Sequence, residues 1–417
     1  MSPLRSEGKI FYGWVIVFAG ILIMSTVIGI GWNSFGQFIK PVCADMGFTR
    51  QAMSTNMTIF SLVQMFVNFS WGTILKHFRL HDLMRVAAIA FPTAYFCYSF
   101  AQNIWMFYAC SMVIGVTMAL LTTLAFSVIV SNWFYEKRGT AIGIAMMGTG
   151  IGGMVFNPLA ARLIMTVGWR STFRILAVVI FCAAFTAVYF LIRVRPEDKG
   201  LKPLGWEKAH EGEKANVDLD QEGELFKDLI KTWRFRGVCL CVCFSTTAIG
   251  TMTQVMAPHL TDNGYATQTA AFMVSFCMAA LALGKMSLGI IFDRLGTKRS
   301  TVLSITCGFL GITGMIFCRY WFMLPLIVVG QCLGSSFGTV GVPMIAQNLF
   351  GRKDYNSNYG FIAACSSVGG ALSPMINGAV YDHLGTYNPA FTVWACLLVC
   401  AVVIFSIILP GEKKKNA

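Results

Sequence analysis

Charge is scarce in this sequence. Only 12% of its 417 residues are Asp, Glu, Lys or Arg, while 56% are hydrophobic and the mean hydropathy is +0.65. That balance excludes a soluble globular protein of this length. Acids are scarcer than bases, 19 against 32. None of them falls deep in an apolar run. Asp45, Asp262 and Asp382 stand at one set of run ends, Asp293 and Asp354 at the other. A carrier of cations that depends on a buried acid is thereby disfavoured. The 14 cysteines include no C-x-x-C pair, and Cys239, Cys241 and Cys243, spaced by two, do not converge on one helical face. Neither a disulfide frame nor a metal site is expected. Gly143, Gly148, Gly150, Gly152 and Gly153, with Pro158, are not followed by Gly-Lys-Ser/Thr. They read as close helix packing and a flexing point, not as a phosphate loop. No nucleophile–base or metal constellation lies among the apolar runs, so an enzyme is not expected and no cofactor is called for. The first apolar segment, Phe11 to about Ile39, is too long for a signal peptide and lacks a clear cleavage site.

Long hydrophobic runs are what the chain has instead. Twelve of them read as membrane helices, near 11–38, 52–75, 83–101, 104–132, 140–165, 172–192, 237–261, 267–292, 299–318, 321–348, 358–381 and 388–409. The expected class is an all-α membrane protein. The net charge of +13 does not point to nucleic acid, because the basic residues sit in short loops between runs rather than on one soluble face. Twelve crossings return the chain to its starting side. The short loops holding Lys76, Arg79, Arg85, Lys137, Arg138, Arg294, Lys298, Arg299, Arg352 and Lys353 fall on the side of the tail Lys413-Lys414-Lys415. Only Lys40, Arg50, Arg162, Arg170, Arg174 and Arg319 fall opposite. The excess of Lys and Arg marks the tail side as cytoplasmic, with both termini there, in an inner membrane.

Residues 193–236 are the one polar connector. Leu225, Phe226, Leu229, Ile230 and Trp233 share a helical face, which predicts a helix over 222–233 lying on the inner surface. A wholly disordered linker is the alternative. On either side of it the chain repeats itself. Gly47 pairs with Gly264, Gly72 with Gly289, Lys76 with Asp293, Asn132-x-Phe134 with Asn348-x-Phe350 and Gly152-Gly153 with Gly369-Gly370, always at an offset of 216 or 217. A constant offset over five landmarks predicts two six-helix bundles, 1–192 and 237–417, related by an axis along the membrane normal with a site between them at mid-depth.

One lysine, Lys285, interrupts the apolar run that begins near Thr267. It precedes Asp293 by eight residues, roughly 12 Å at 1.5 Å per residue, near the middle of a hydrocarbon layer about 30 Å thick. An unpaired charge there costs about 3 kcal/mol on insertion scales. A bound anion would offset it. A structural lysine held by backbone carbonyls, or one reaching the inner face, is the plainer alternative.

Residues 289–299, Gly289-x-x-x-Asp293-Arg294-x-Gly296-x-Lys298-Arg299, resemble the loop signature of the major facilitator superfamily. The first bundle carries an altered copy, Gly72-x-x-x-Lys76-His77-x-Arg79, in which Lys76 replaces the acid. Phe11-Tyr12-Gly13-Trp14-Val15, Asn33-Ser34-Phe35-Gly36 and Asn132-Trp133-Phe134-x-x-Lys137-Arg138-Gly139 are similar to bacterial monocarboxylate transporters and oxalate/formate exchangers. In that branch a cation four residues before the signature glycine binds substrate carboxylate, and Lys285 is four before Gly289. Oxalate exchangers add a lysine in the eleventh helix. The run 358–366 here has none, which favours a monoanion. The Lys at 285 is a point charge without the bidentate fork of Arg.

The resemblance implies a secondary transporter moving a small organic monocarboxylate by alternating access, as proton symport or anion exchange. Around Lys285 the candidate substrate contacts are Asn33, Gln37, Gln64, Thr122, Thr123, Gln254, Gln331, Ser366 and Ser367, each of which is also a plausible helix–helix contact. Few polar groups in an apolar setting suit a small or aromatic carboxylate. His259 is a candidate proton site. Gly289, Asp293, Arg294 and Arg138 are candidate gate residues, with Asp293 expected to meet basic residues or a helix N-terminus near Arg138-Gly139. The expected partners are a small organic anion and the lipid bilayer, with no nucleic acid, and the working unit is a monomer. Export of a neutral or amphipathic metabolite, or a non-transporting sensor acting through 193–236, are the alternatives.

Overall fold

The computed structural model describes residues 11–206, 225–351 and 353–409. The tail lysines 413–415, Arg352, residues 222–224 and the side chain of Gln254 lie outside the described residues. Among those described there is no strand, only helix, turn and one isolated bridge, Phe134 to Leu204.

Among the described residues, twelve helices are apolar enough to make up the membrane crossings. They are α1 (Tyr12–Asn33), α2 (Arg50–Phe69, bent by 62° into Trp71–His77), α3 (Leu80–Phe100), α4 (Ile104–Trp133), α5 (138–167), α6 (169–191), α7 (Trp233–Asp262), α8 (267–295), α9 (297–316), α10 (Trp321–Phe350), α11 (Tyr355–Leu384) and α12 (Asn388–Ile408). Two connections are so tight that α5 runs into α6 and α8 into α9 with only one residue out of helical geometry. Those residues are Gly168 (φ 78°) and Gly296 (φ 75°), and a side chain there would be strained. Three helices, α2, α4 and α7, begin on side-chain caps. Thr49 accepts from the Ala52 N–H, Asn103 from Met106 and Thr232 from Phe235.

The outside of the bundle is apolar. Phe18, Met165, Phe272, Val393 and Ile407 are all exposed. In water that surface would be an aggregation hazard, and against lipid tails it is the required face. Trp105 and Trp321, at the starts of α4 and α10 and 216 residues apart, are 73% and 77% exposed, as belongs to an aromatic belt at a membrane boundary.

The expected surface helix over 222–233 takes a different form. It is a single turn, Phe226–Leu229, ending before α7 begins at Trp233. Leu229 is buried and Phe226 packs on Phe235 and Phe361, while Leu225 and Trp233 point outward. Phe226 and Leu229 tie this stretch to the protein. The stretch before the undescribed residues is pinned too. Leu204 exchanges backbone bonds with Trp133, Tyr135 and Glu136.

Candidate functional site

Two seams join the bundles, α5 against α8 and α2 against α11. The first is a run of small residues. A Cβ on Gly139 would strike the Gly289 carbonyl, one on Gly143 the Lys285 carbonyl, and one on Gly150 Ala282 and the Met278 carbonyl. Close backbone approach of this kind is how helices associate in lipid. It fixes the rotation of α8 and with it the direction of Lys285.

Lys285 lines a cavity of about 350 Å³ between the bundles. It is 3% exposed, and its ammonium donates to the Thr149 hydroxyl on α5. The Thr149 hydroxyl donates on to the Met146 carbonyl at 3.0 Å, and the Thr149 carbonyl accepts from Asn33 Nδ2 at 3.1 Å. So α1, α5 and α8 meet at one polar corner. Asn33, Gln64, Thr122, Thr123, Ser366 and Ser367 line the same cavity, with apolar walls that include Ile28, Trp32, Met278, Leu281 and Phe337. No Asp or Glu is among the described lining residues. The one side-chain ion pair among the described residues, Arg85 with Asp82, lies elsewhere.

Two expected contacts, Gln37 and Gln331, are not brought there, and the candidate proton site His259 also stands apart from the lining. Gln37 is exposed beyond the break at Ser34 and Phe35 that ends α1. Gln331 is buried, but it donates to Thr253 at 2.7 Å and accepts from Ser335 at 3.0 Å, outside the lining. His259 is buried at the far end of α7. Its Nε2 meets the Met315 carbonyl at 2.9 Å, and its ring stands edge-on to Phe391 at 4.9 Å. Those contacts make it a packed joint between α7, α9 and α12. Conversely, Thr149, Asn68, Thr246, Thr253 and Tyr359 line the cavity without having been singled out in the sequence. Asn68 carried a signal: it stands four residues before Gly72, as Lys285 stands four before Gly289.

The end of the bundle holding Asp293 is closed. Asp293 Oδ1 accepts from the Gly139 N–H at 2.8 Å, and its Oδ2 accepts from the Thr140 N–H at 2.7 Å and the Thr140 hydroxyl at 2.6 Å. A carboxylate thus sits on the positive N-terminus of α5, across the seam. Arg138 turns back to the Phe134 carbonyl at 2.9 Å, and Arg294 is exposed. On the second seam Gly72 faces Ser357, and Lys76, standing where the repeat has Asp293, is exposed. The acid there comes from Asp354 on the same helix start. It accepts from the Ser357 hydroxyl at 2.7 Å and from the Phe226 N–H at 3.2 Å. A larger cavity, about 1090 Å³, opens at this end between the α2–α3 loop and residues 194–203. It holds solvated charges of both signs, Arg85 and Asp82 included, and does not reach Lys285.

A profile of the Major Facilitator Superfamily matches residues 21–344 and 238–417. The chain is similar to the uncharacterized MFS-type transporter YcxA of Bacillus subtilis (strain 168), at 22% identity over 416 residues covering 95% of this chain and 96% of that one. It is similar to monocarboxylate transporter 12 of Rattus norvegicus at 24% identity over 333 residues, 72% of this chain and 65% of that protein's length. Among solved structures, the proton:xylose symporter XylE bound to 6-bromo-6-deoxy-D-glucose matches with a TM-score of 0.76 at 13% identity, covering 96% of each chain. That likeness is one of fold.

Proposed function

The chain belongs to the Major Facilitator Superfamily, a family of multi-pass membrane transporters of small molecules and not of enzymes, and from that premise we propose that its cargo is a small organic monocarboxylate. The observation carrying this reading is Lys285, a buried cation in a cavity whose described lining offers it only neutral partners. Burying an ammonium without a counter-charge is costly, and a carboxylate entering the cavity supplies the missing charge. The amine bonds the Thr149 hydroxyl in the wall of the cavity, which favours this reading over a lysine held by backbone oxygens. A single cation suits one carboxylate better than two. The name of the rat relative agrees with that class.

Transport proceeds by alternating access between bodies 1–192 and 237–417, with 193–236 as their connector. The loop charges support a cytoplasmic Asp293 end, with both termini on that side of the inner membrane. Asp293 on the α5 N-terminus then acts as the latch of the inner gate. The chain works as a monomer. Symport follows if the ammonium gives up its proton as the anion leaves, and exchange follows if a second anion replaces the first.

The test is uptake of radiolabelled monocarboxylates into proteoliposomes under imposed pH and voltage gradients. Wild-type protein accumulates at least one of them. Lys285→Ala loses that uptake by at least about tenfold, a factor worth 1.4 kcal/mol. Uptake that survives Lys285→Ala unchanged overturns the assignment.

A further inference from the structure

The offset that relates Gly72 to Gly289 also relates Asn68 to Lys285, and the structure assigns to Asn68 the second pole of the cargo site. We propose that it accepts a hydrogen bond from a hydroxyl carried by the substrate at the end remote from its carboxylate. This inference rests on the monocarboxylate reading of Lys285.

The two residues are equivalent positions on opposite seams. Lys285 on α8 reaches across to Thr149 on α5. Asn68 on α2 reaches across to Ser367 on α11, Nδ2 to Oγ at 3.1 Å. Ser367 lies 218 residues after Thr149, one position off the offset of 217 that relates Asn68 to Lys285, so the two bonds join equivalent helix pairs at closely similar depth. Both Asn68 and Ser367 line the cavity that holds Lys285. The site therefore has a cation on one seam and a carboxamide on the other, with apolar wall between.

The carboxamide has one acceptor left over. Asn68 is 5% exposed, and its Oδ1 is buried without a hydrogen-bond partner. The orientation of the amide is fixed by its neighbour. Ser367 spends its proton on the Ala363 carbonyl at 3.0 Å, so its oxygen can only accept from Asn68. That forces the NH₂ toward Ser367 and leaves the carbonyl oxygen unmet. A buried acceptor without a donor is disfavoured. A ligand hydroxyl meets it. A site built to bond a hydroxyl discriminates strongly against the analogue that lacks one.

Matched pairs on the purified full chain test this. The probes are 4-hydroxybenzoate against benzoate and 3-hydroxybutyrate against butyrate, with binding read by calorimetry. Wild-type protein binds the hydroxylated member of at least one pair about tenfold more tightly. In Asn68→Leu that ratio falls toward one. Ser367→Ala, which leaves Asn68 in place but frees its amide to turn, also lowers the ratio and serves where Asn68→Leu does not fold. Lys285→Ala weakens both members together. Equal binding of all pairs by wild-type protein, or a preference untouched by both Asn68→Leu and Ser367→Ala, overturns the assignment and leaves the carboxylate reading standing. Failure of every carboxylate to bind overturns both.

Discussion

Ser131 donates to Gln347 across the two bundles at 3.0 Å, and the two residues are 216 positions apart, the same offset that relates the repeats. A residue that bonds its own repeat mate must lie beside the axis relating them. The axis therefore passes between the ends of α4 and α10, at the closed Asp293 end. Ser127 and Tyr359, joined at 3.2 Å one turn deeper, stiffen the same region. Opening this end has to break the Ser131–Gln347 bond, whose net worth is about 1 kcal/mol. Ser131→Ala is expected to raise amide hydrogen exchange in residues 133–140 roughly fivefold by loosening closure. Exchange equal to that of wild type would remove this bond from the gate.

The carboxylate of Asp293 carries three donors from one helix start. Asp293→Asn retains an acceptor without the charge, whereas Asp293→Ala leaves the Gly139 and Thr140 N–H groups unmet when the end closes. Transport is expected to fall in the order wild type, Asn, Ala, with Ala roughly tenfold down. Cargo affinity measured by calorimetry should be little changed, because Asp293 is not in the cavity lining. Equal activity of the Asn and Ala variants would mean that the helix start needs no acceptor from α8.

The twelve helices and their pairing were legible because a lipid-spanning run needs about twenty apolar residues and a repeat imposes a constant offset. The meeting of Asp293 with the helix start at Gly139 and Thr140 was legible because the signature residues place it at the end of α8. Which way a polar side chain turns was not. Gln331 and Gln64 look alike in sequence, yet one is turned to Thr253 and Ser335 and the other to the cavity, by neighbours far along the chain. Asn68 was overlooked because an amide is unremarkable in an apolar run. Over 225–233 the expected surface helix is reduced to one turn, because Phe226 packs on Phe235 and Phe361 and Leu229 is buried in the protein, which periodicity cannot report.

His259 holds α7 to α9 through the Met315 carbonyl and stacks edge-on against Phe391. It stands apart from the cavity lining. His259→Gln, which can still donate to Met315, is expected to leave the pH profile of transport unchanged. His259→Ala is expected to lower the unfolding temperature by removing a buried bond and ring contacts worth about 1–3 kcal/mol together. A shifted pH profile in the Gln variant, with unaltered stability, would restore a proton-carrying role.

The seam of α5 and α8 makes the sharpest claim about packing. A methyl group at Gly143 would collide with the Lys285 carbonyl, and backbone cannot rotate away as a flexible side chain can. Gly143→Ala must therefore push α8 outward and carry the Lys285 ammonium away from Thr149. Gly378 on α11 has nothing within 4 Å of an added methyl. Alanine there should be neutral or slightly stabilising, by about 0.5–1 kcal/mol through helix propensity. Anion binding should thus fall at least about tenfold in Gly143→Ala and hold in Gly378→Ala, with thermal unfolding shifted downward only in the first. The contrast separates a specific backbone contact from a general intolerance of side chains in these helices. If both variants bind and unfold alike, the close approach of α5 to α8 does not set the position of the charge.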